Sequence, residues 1–512
     1  MKNYMRKLVL AIDQGTSSTR CIAFDQKGQI ALSAFKEFPQ IYPKPGWVEH
    51  DPEEIYDSVV ACVAQLGLDL SRDSVEAVGI TNQRETIVAW DRFTGKPFHN
   101  AIVWLDTRTH EMVKSESQST PAGAHKFRPI TGLPISTYFS AMKIKWLMDN
   151  VPAIQEALAE RRCCFGTIDS FLTHRLTGSV VHVTDCANAS RYNLMDLASL
   201  QWSPSVCAAL GIPTHALPGI VSNAEPVGHI HAAALPLLSG VPITSLIGDQ
   251  HAALLGHACT QPQECKITYG TGCFLLMNTG SVPVPSTSLL TTVGYKLGAD
   301  SPAVYALEGS VAAAGRAVQW AKENLRIGDD LKEFNEIASS VSDTCGVTFV
   351  PAFSGLFAPY WRDDARAVIV GMSLRTSFRH IARAIFEATA MQCAEVVKLI
   401  KQDGNAASLQ AVVTDGGMTK SALLMQIQAD LLDAPVRRAR MSESTAFGAA
   451  YCAGLSVGFW QEIDVRDIVA SQAGYDLFSP QMTPEERAAA FSRWDDAVQR
   501  SFGLAIHGQA SS

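Results

Sequence analysis

The sequence lacks the excess of positive charge that nucleic-acid-binding proteins carry. Its 512 residues include 42 Lys and Arg against 50 Asp and Glu, which gives a formal net charge of −8. A phosphate backbone or an anionic membrane surface attracts proteins through an excess of basic side chains. The charge balance therefore argues against nucleic acid as a partner. The apolar fraction of 47% is enough for large buried cores.

Long uninterrupted hydrophobic runs are also missing. Three stretches contain no Asp, Glu, Lys or Arg, but Pro and Gly interrupt each of them: 197–224, 226–248 and 267–295. None provides the roughly 20 apolar residues of a membrane-spanning helix. The apolar segment 8–12 is too short for an export signal. The 12 cysteines are scattered without C-x-x-C spacing. We therefore expect a cytoplasmic protein with reduced thiols and no integral membrane segment.

Several common motifs for phosphate binding and nucleophilic catalysis are absent. The sequence contains no G-x-x-x-x-G-K-[ST], G-x-G-x-x-G, G-x-S-x-G or H-E-x-x-H. A polar turn at 13–18 offers another way to bind phosphate. Gly15 lets the backbone approach closely, and hydroxyl and N–H groups can hold phosphate oxygens. Asp13 ends a strand, where it can reach a hydrated magnesium ion. An ordinary polar hairpin would have the same pattern.

Two further glycine turns follow later in the chain. Residues 269–272 form a turn between two predicted strands, and 416–417 follow the apolar strand 412–415 and precede helical residues 421–432. One such turn is weak evidence, whereas three in this order favour a phosphate-binding protein.

Strand and helix patterns alternate along the chain, which predicts an α/β fold with helices covering sheets. Strand patterns flank a glycine turn near the start and again at 265–277, so we predict an internal duplication. The boundary is expected near residue 255, with domains at 1–255 and 256–512.

The arrangement resembles the superfamily of sugar kinases, actin and chaperones, and within it the FGGY carbohydrate kinases. The resemblance spans about residues 8–465 and rests on stretches such as IYPKPGWVEHDP (41–52), GITNQRET (79–86), GDQHAAL (248–254), TYGTGCFLLMNT (268–279) and PAFSGLFAPYW (351–361). It implies two duplicated actin-like (ribonuclease H-like) domains with a nucleotide and substrate cleft between them. The first domain would carry the acceptor pocket and one phosphate hairpin, and the second the other hairpin and the adenosine loop.

The similarity is strongest to the family members that act on glycerol. It implies Mg²⁺- and ATP-dependent phosphorylation of glycerol to sn-glycerol 3-phosphate, with Asp249 as the catalytic base. Asp13 and Asp249 would face the Mg²⁺ ion through water. The positions that match substrate contacts are Arg84, Glu85, Trp104, Tyr138, Asp249, Gln250 and Phe274. The positions that match nucleotide contacts are Thr16, Ser17, Ser18, Arg20, Thr271, Gly315, Gln319, Gly417 and Ser421.

These residue types suit a triol. Arg84 donates, Glu85 accepts, Tyr138 does both, and aromatic rings can cover the carbon atoms. Successive side chains of a strand point to opposite faces, so Arg84 and Glu85 can share one ligand only if the backbone turns there. A carboxylate such as Asp249 is too weak a base to ionise an alcohol beforehand, but it can accept the proton while the bond to phosphorus forms.

Two positions depart from the family pattern. Ser421 stands where Asn is common beside adenine, and Arg316 stands where a small residue is usual. We expect both to affect ATP affinity more than chemistry. Two alternatives stay open: a kinase for another polyol or ketose, and a catalytically weak protein of the same family. The resemblance also implies a homo-oligomer, either a dimer or a tetramer.

Overall fold

The computed structural model describes residues 5–353, 355–362, 364–404, 409, 411–441, 443–462, 464–472 and 474–505. The strands of the N-terminal half are β1 Arg6–Gln14, β2 Ser18–Phe24, β3 Ile30–Glu37, β4 Glu49–His50, β5 Asp73–Asn82, β6 Ile87–Asp91, β7 Ala101–Ile102, β8 Cys163–Thr167, β9 Val183–Asp185, β10 Met195–Asp196, β11 Gln201–Trp202, β12 Gly219–Val221, β13 Gly228–His229 and β14 Pro242–Gly248. Its helices are α1 Pro52–Gln65, α2 His110–Gln118, α3 Arg128–Thr131, α4 Ser140–Asn150, α5 Pro152–Ala159, α6 Ile168–Leu176, α7 Cys186–Ala189, α8 Pro204–Leu210 and α9 Asp249–Gly256.

The strands of the C-terminal half are β15 Cys265–Tyr269, β16 Cys273–Gly280, β17 Leu290–Tyr295, β18 Val304–Val311, β19 Thr348–Val350, β20 Val368–Val370, β21 Val412–Asp415, β22 Val436–Ala439 and β23 Tyr475–Phe478. Its helices are α10 Gly315–Leu325, α11 Leu331–Ser339, α12 Phe378–Asp403, α13 Ala422–Leu432, α14 Ser444–Ser456, α15 Asp464–Gln472 and α16 Pro484–Arg500. In the part of the chain that the structure describes, no helix is both long and apolar enough to cross a bilayer.

The two halves repeat one sheet pattern, which confirms the predicted duplication. In the N-terminal sheet, β3, β2 and β1 form an antiparallel meander, and β5 and β14 continue it in parallel with β1. In the C-terminal sheet, β18, β16 and β15 form the same meander, and β21 and β22 continue it in parallel with β15. The predicted hairpins at the two glycine turns are β1–β2 and β15–β16.

Local signals in the sequence account for where α1 begins. Asp51 has an extended backbone and accepts a hydrogen bond from the Glu53 N–H at 2.9 Å, and Pro52 occupies the first helical position. Both features are typical of a helix N-terminus. One face of the helix is buried, and Ile55, Val59 and Val63 pack against the N-terminal sheet.

Helix α14 connects the two halves. It belongs to the C-terminal half by sequence, yet it packs on β1, β5 and β14 of the N-terminal sheet and on α9. The crossing with α9 is close, because an added Cβ at Gly448 would lie 2.6 Å from the Ala252 carbonyl carbon. One apolar core contains α9, α14 and side chains from both sheets. The domain boundary near residue 255 stays a prediction.

Candidate active site

Two predicted site aspartates lie at the carboxyl ends of two parallel strands of the N-terminal sheet. Asp13 is near the end of β1, and Asp249 directly follows β14 as the first residue of α9. Strand β5 lies between them and pairs with both. The crevice outside the carboxyl ends of parallel strands is where α/β sheets bind ligands. Burial raises the pKa of Asp13 to about 7, and Asp249 and Glu443 add to this shift while Arg20 opposes it.

Arg84 and Glu85 follow β5 and turn into the same space. Glu85 has a φ of 59°, and the Thr86 N–H donates to the Arg84 carbonyl at 2.8 Å. This is the backbone turn that the pair needs to share one ligand. Both side chains are buried. The Arg84 Nε lies 3.3 Å from the Asp249 carboxylate, so the three residues form one polar group.

Three aromatic rings lie beside this polar group. The Trp104 ring is 5.8 Å from the rings of both Tyr138 and Phe274, measured between centroids. The Arg84 guanidinium lies 5.9 Å from the Phe274 ring. Burial and the nearby Glu85 raise the pKa of Tyr138, so its hydroxyl keeps its proton and can donate. The rings can cover the carbon atoms of a small polyol while Arg84 and Glu85 bind its hydroxyls.

The Trp104 indole also contacts the first phosphate turn, since its Nε1 donates to the Thr16 hydroxyl at 3.0 Å. The turn itself is closed by the Gly15 N–H, which donates to the Ser18 carbonyl at 2.9 Å. Ser17 is exposed. Arg20 forms an ion pair with Glu443 at 3.0 Å. The predicted acceptor pocket and the first phosphate turn are therefore adjacent.

Gln250 does not point freely into the pocket. Its side-chain oxygen accepts a short hydrogen bond from Lys266, which is fully buried. Burial lowers the pKa of Lys266, while Asp415 counteracts the shift. Lys266 also donates to the Thr268 hydroxyl at 2.9 Å. The Gln250 amide nitrogen stays available for a ligand, because Lys266 contacts only the oxygen.

Sequence reasoning missed two residues that organise the pocket. The Glu308 carboxylate accepts hydrogen bonds from both terminal nitrogens of Arg84, at 2.6 and 2.8 Å. Arg191 donates from Nε to Glu85 at 2.6 Å. A single acidic residue within the apolar strand 304–311 is a signal for Glu308, because a charge buried in a sheet needs a partner. The sequence around Arg191 carries no comparable signal.

The second phosphate turn and the glycine loop after β21 lie together. The Gly270 N–H donates to the Gly272 carbonyl at 2.9 Å, and the Gly315 N–H donates to the Gly270 carbonyl at 3.0 Å. A Cβ at Gly315 would lie 2.7 Å from that carbonyl oxygen and 3.3 Å from the Met418 sulfur. Thr271 is exposed, and its carbonyl accepts from the Arg316 N–H at 3.1 Å. The first residues of α10 therefore contact both the turn at 269–272 and the loop after β21.

The remaining candidate nucleotide contacts differ in whether they leave open space or are already hydrogen-bonded within the protein. Nothing lies within 4 Å of an added Cβ at Gly417. Ser421 caps α13 by accepting from the Leu424 N–H at 3.1 Å, and it donates to Asn335 at 2.5 Å. Gln319 is exposed and bonds to Glu323. The hydroxyl of Ser421 is therefore already engaged, whereas Gly417 leaves open space.

The residues present fit a hydrated Mg²⁺ ion. Asp13 and Asp249 offer hard carboxylate oxygens, and the repulsion between their charges contributes to the raised pKa of Asp13. Within the described residues, no group of three or more His, Cys, Asp and Glu side chains has the arrangement of a protein-only metal cage. Two carboxylates with water completing the coordination are typical for Mg²⁺.

Comparisons with known proteins identify the family of the chain. Residues 8–256 match the N-terminal domain, and residues 265–457 the C-terminal domain, of the FGGY family of carbohydrate kinases. A glycerol kinase from Roseiflexus sp. (strain RS-1) is 47% identical over 506 residues, which cover 97% of this chain and 99% of that protein. A glycerol kinase from Nocardia farcinica is 48% identical over 505 residues, with 97% and 99% covered.

Solved structures show the same fold. The crystal structure of Plasmodium falciparum glycerol kinase with ADP has a TM-score of 0.91 and 39% sequence identity, covering 97% of this chain and 98% of that one. A gluconate kinase from Lactobacillus acidophilus has a TM-score of 0.83 at 22% identity, covering 97% of each chain. The second likeness concerns the fold alone.

Proposed function

Because this chain belongs to the FGGY family of carbohydrate kinases, we propose that it transfers the γ-phosphoryl group of ATP to glycerol and forms sn-glycerol 3-phosphate. The protein is an ATP-dependent phosphotransferase, and relatives named glycerol kinase match it over nearly the full chain. The observation that carries the choice of glycerol is the juxtaposition of the polar groups of Arg84 and Asp249 with the aromatic rings of Trp104, Tyr138 and Phe274.

The chemistry of the acceptor pocket supports a polyol. Arg84 and Glu85 offer a donor and an acceptor within one turn, and both are buried. A buried charged group left without its hydrogen bond is costly, so the site discriminates against ligands that lack the matching hydroxyls. The Trp104 ring centroid lies 5.8 Å from those of Tyr138 and Phe274, so the three rings form an apolar surface that can cover the carbon atoms of the acceptor.

Asp249 is the proposed acceptor of the proton from the attacking hydroxyl. Burial raises its pKa, whereas Arg84 at 3.3 Å opposes the shift and favours the ionised form. The carboxylate takes the proton while the bond between oxygen and phosphorus forms, so no free alkoxide is needed. Positioning of the two substrates then supplies much of the rate enhancement.

Asp13 and Asp249 would hold the Mg²⁺ ion through water, and the ion would supply charge neutralisation for the transferred phosphoryl group. The hydroxyls and N–H groups of the two turns bind the phosphates: Thr16, Ser17 and Ser18 in the first, with Arg20 beside them, and Thr271 in the second. Gly315, Gln319, Gly417 and Ser421 complete the nucleotide side. Exclusion of water from the closed cleft prevents hydrolysis of ATP.

The proposal includes a cytoplasmic homo-oligomer, either a dimer or a tetramer. Its support is the family resemblance and, for the location, the scattered cysteines. Size-exclusion chromatography with light scattering measures the oligomeric state directly, and a monomer at micromolar concentration contradicts this part of the proposal.

A coupled assay tests the proposed reaction. ADP release by the purified protein is measured with glycerol, dihydroxyacetone, xylulose and gluconate, each with Mg²⁺ and with excess EDTA. We expect a specificity constant, kcat/KM, at least tenfold higher for glycerol than for the other acceptors, and no activity in EDTA. A higher value for another acceptor identifies a different polyol or ketose kinase. Absence of turnover with every acceptor identifies a catalytically weak protein.

A further inference from the structure

Glu308 is a fully buried carboxylate that contacts the other half of the protein. It lies on β18 of the C-terminal sheet, where every neighbour in the strand except Val304 is buried as well. Its hydrogen-bond partner is Arg84 of the N-terminal half, through Nη1 at 2.6 Å and Nη2 at 2.8 Å. The Arg191 Nη1, also from the N-terminal half, lies 3.3 Å from the same carboxylate. The ion pairs of Glu308 therefore cross between the two halves.

The charges of this cluster explain why Glu308 stays ionised. Burial alone raises the pKa of a carboxyl, but Arg191 and Arg84 together lower the pKa of Glu308 to about 2. Two parallel N–H···O bonds between guanidinium and carboxylate fix the plane of the arginine as well as its position. Removing one partner of such a buried pair leaves an uncompensated charge.

The orientation of Arg84 has a consequence for the pocket. Because its two terminal nitrogens bind Glu308, its Nε faces Asp249 at 3.3 Å. Arg191 orients Glu85 in the same way. Its Nε donates to Glu85 at 2.6 Å while its Nη1 faces Glu308. The Arg191 guanidinium also lies 5.5 Å from the Tyr138 ring. One carboxylate thus orients Arg84 directly and Glu85 through Arg191.

We propose that Glu308 is a positioning residue for the acceptor pocket. The pocket has its polyol-binding geometry only while Glu308, on β18 of the C-terminal half, binds Arg84 and Arg191 of the N-terminal half. This inference rests on the proposed function. Without the carboxylate, the terminal nitrogens of Arg84 lose their partner and are free to turn toward Asp249 and Glu85, which occupies the groups that bind the acceptor. The nucleotide side lies on other elements and is unaffected.

Three variants test this role by steady-state kinetics with glycerol and ATP. Glu308→Gln keeps the shape and removes the charge, and Glu308→Asp keeps the charge on a shorter side chain. Arg191→Lys keeps the charge balance and removes the planar fork. We expect Glu308→Gln to raise the KM for glycerol about 10- to 100-fold and to leave the KM for ATP within threefold. Glu308→Asp should recover part of the loss, and Arg191→Lys should also raise the glycerol KM.

Asp73→Asn is the matched control. Asp73 is a buried carboxylate at the opposite end of β5, and Arg6 binds it through Nε and Nη2, both at 2.9 Å. Its replacement also removes an ion pair with a buried carboxylate, although the Arg6 side chain is 45% exposed, so it reports the kinetic effect of lost stability away from the pocket. We expect it to lower the melting temperature while both KM values stay within threefold of the unmodified protein.

The outcomes separate the two proposals. If the unmodified protein does not phosphorylate glycerol, the proposed function fails and the inference fails with it. If it does, and Glu308→Gln changes the KM for glycerol less than threefold, the positioning role is wrong. A parallel rise of both KM values in Glu308→Gln also overturns it. If Glu308→Gln does not fold, the kinetics of Glu308→Asp and Arg191→Lys decide.

Discussion

Asp249 has two contacts that bear on its chemistry, because the Arg84 Nε lies 3.3 Å away and the Gln250 N–H donates to its carboxylate at 2.7 Å. Both donors hold the carboxylate in place at the start of α9. Negative charge at a helix N-terminus is also stabilised by the helix dipole. The side chain is therefore ordered before any substrate binds.

Replacement of Asp249 tests the proposed base. Asn has nearly the same shape but cannot accept the proton, so we expect Asp249→Asn to lower kcat by about 10³-fold or more. Glycerol binding, measured by isothermal titration calorimetry, should change less than tenfold because Arg84 and Glu85 remain. A kcat within tenfold of the unmodified protein would contradict the assignment.

Glu395 lies outside the site, and its ionisation opposes folding. Tyr360 hydrogen-bonds one carboxylate oxygen, while the other is buried near Trp494 and has no hydrogen bond of good geometry among the described residues. Burial raises the pKa of Glu395 to about 7 from 4.5. The folded state therefore favours the protonated form, and this group lowers the free energy of unfolding as pH rises from about 4.5 to 7.

Glu395→Gln changes the free energy of unfolding at each pH. We expect this change to be more stabilising at pH 8 than at pH 5, by about 1–3 kcal/mol. Urea denaturation of both proteins at the two pH values measures the difference. An equal effect at pH 5 and pH 8 would mean that Glu395 ionises with an ordinary pKa.

At the scale of single elements, the loop after β21 depends on a glycine that the sequence analysis did not single out as a site residue. Gly416 has a φ of 95°, and an added Cβ would lie 2.7 Å from the Tyr269 carbonyl carbon. Both the backbone conformation and the close approach require glycine. The neighbouring Gly417 has open space instead.

The two adjacent glycines make a matched pair of variants. Gly416→Ala should lower the free energy of unfolding by about 2–3 kcal/mol, because strain and steric overlap combine. It should also raise the KM for ATP at least tenfold, since the loop must move away from β15. Gly417→Ala should change the free energy of unfolding by less than about 0.5 kcal/mol. Equal destabilisation by the two variants in urea denaturation would rule out this account.

The sequence predicted the bounds of single strands and helices better than it predicted contacts between residues far apart in the chain. The strand predicted at 412–415 and the helix predicted at 421–432 carry local patterns, so the observed β21 and α13 agree with the expected bounds within about one residue. The turn at Glu85 followed from the requirement that two adjacent side chains share one ligand. The pairing of Arg84 with Glu308 joins residues 224 positions apart, and no local pattern encodes such a distance.

At the scale of the whole molecule, α14 determines whether the N-terminal sheet is covered. The helix packs on β1, β5 and β14, and Val9, Ala11, Ala77 and Ile247 belong to the core that it completes. A chain that ends at Gly256 leaves this apolar face exposed. Exposed patches of this kind lead to association.

We therefore expect a fragment of residues 1–256 to bind the dye ANS and to elute as aggregates, because burial of apolar surface is the main favourable term in folding. Co-expression with residues 257–512 should yield a complex in which dye binding is lost and glycerol phosphorylation returns. Dye fluorescence and size-exclusion chromatography measure both states. A monomeric fragment 1–256 with a sharp melting transition would show that the N-terminal half folds without α14.

The position of α14 also sets a delay during protein synthesis. Helix α14 begins at Ser444, roughly 190 residues after α9 ends at Gly256. At about 5–20 residues per second, the ribosome needs about 10–40 s to deliver it. During that time the apolar face of the nascent N-terminal sheet is exposed to solvent. We therefore expect the emerging chain to bind ribosome-associated chaperones.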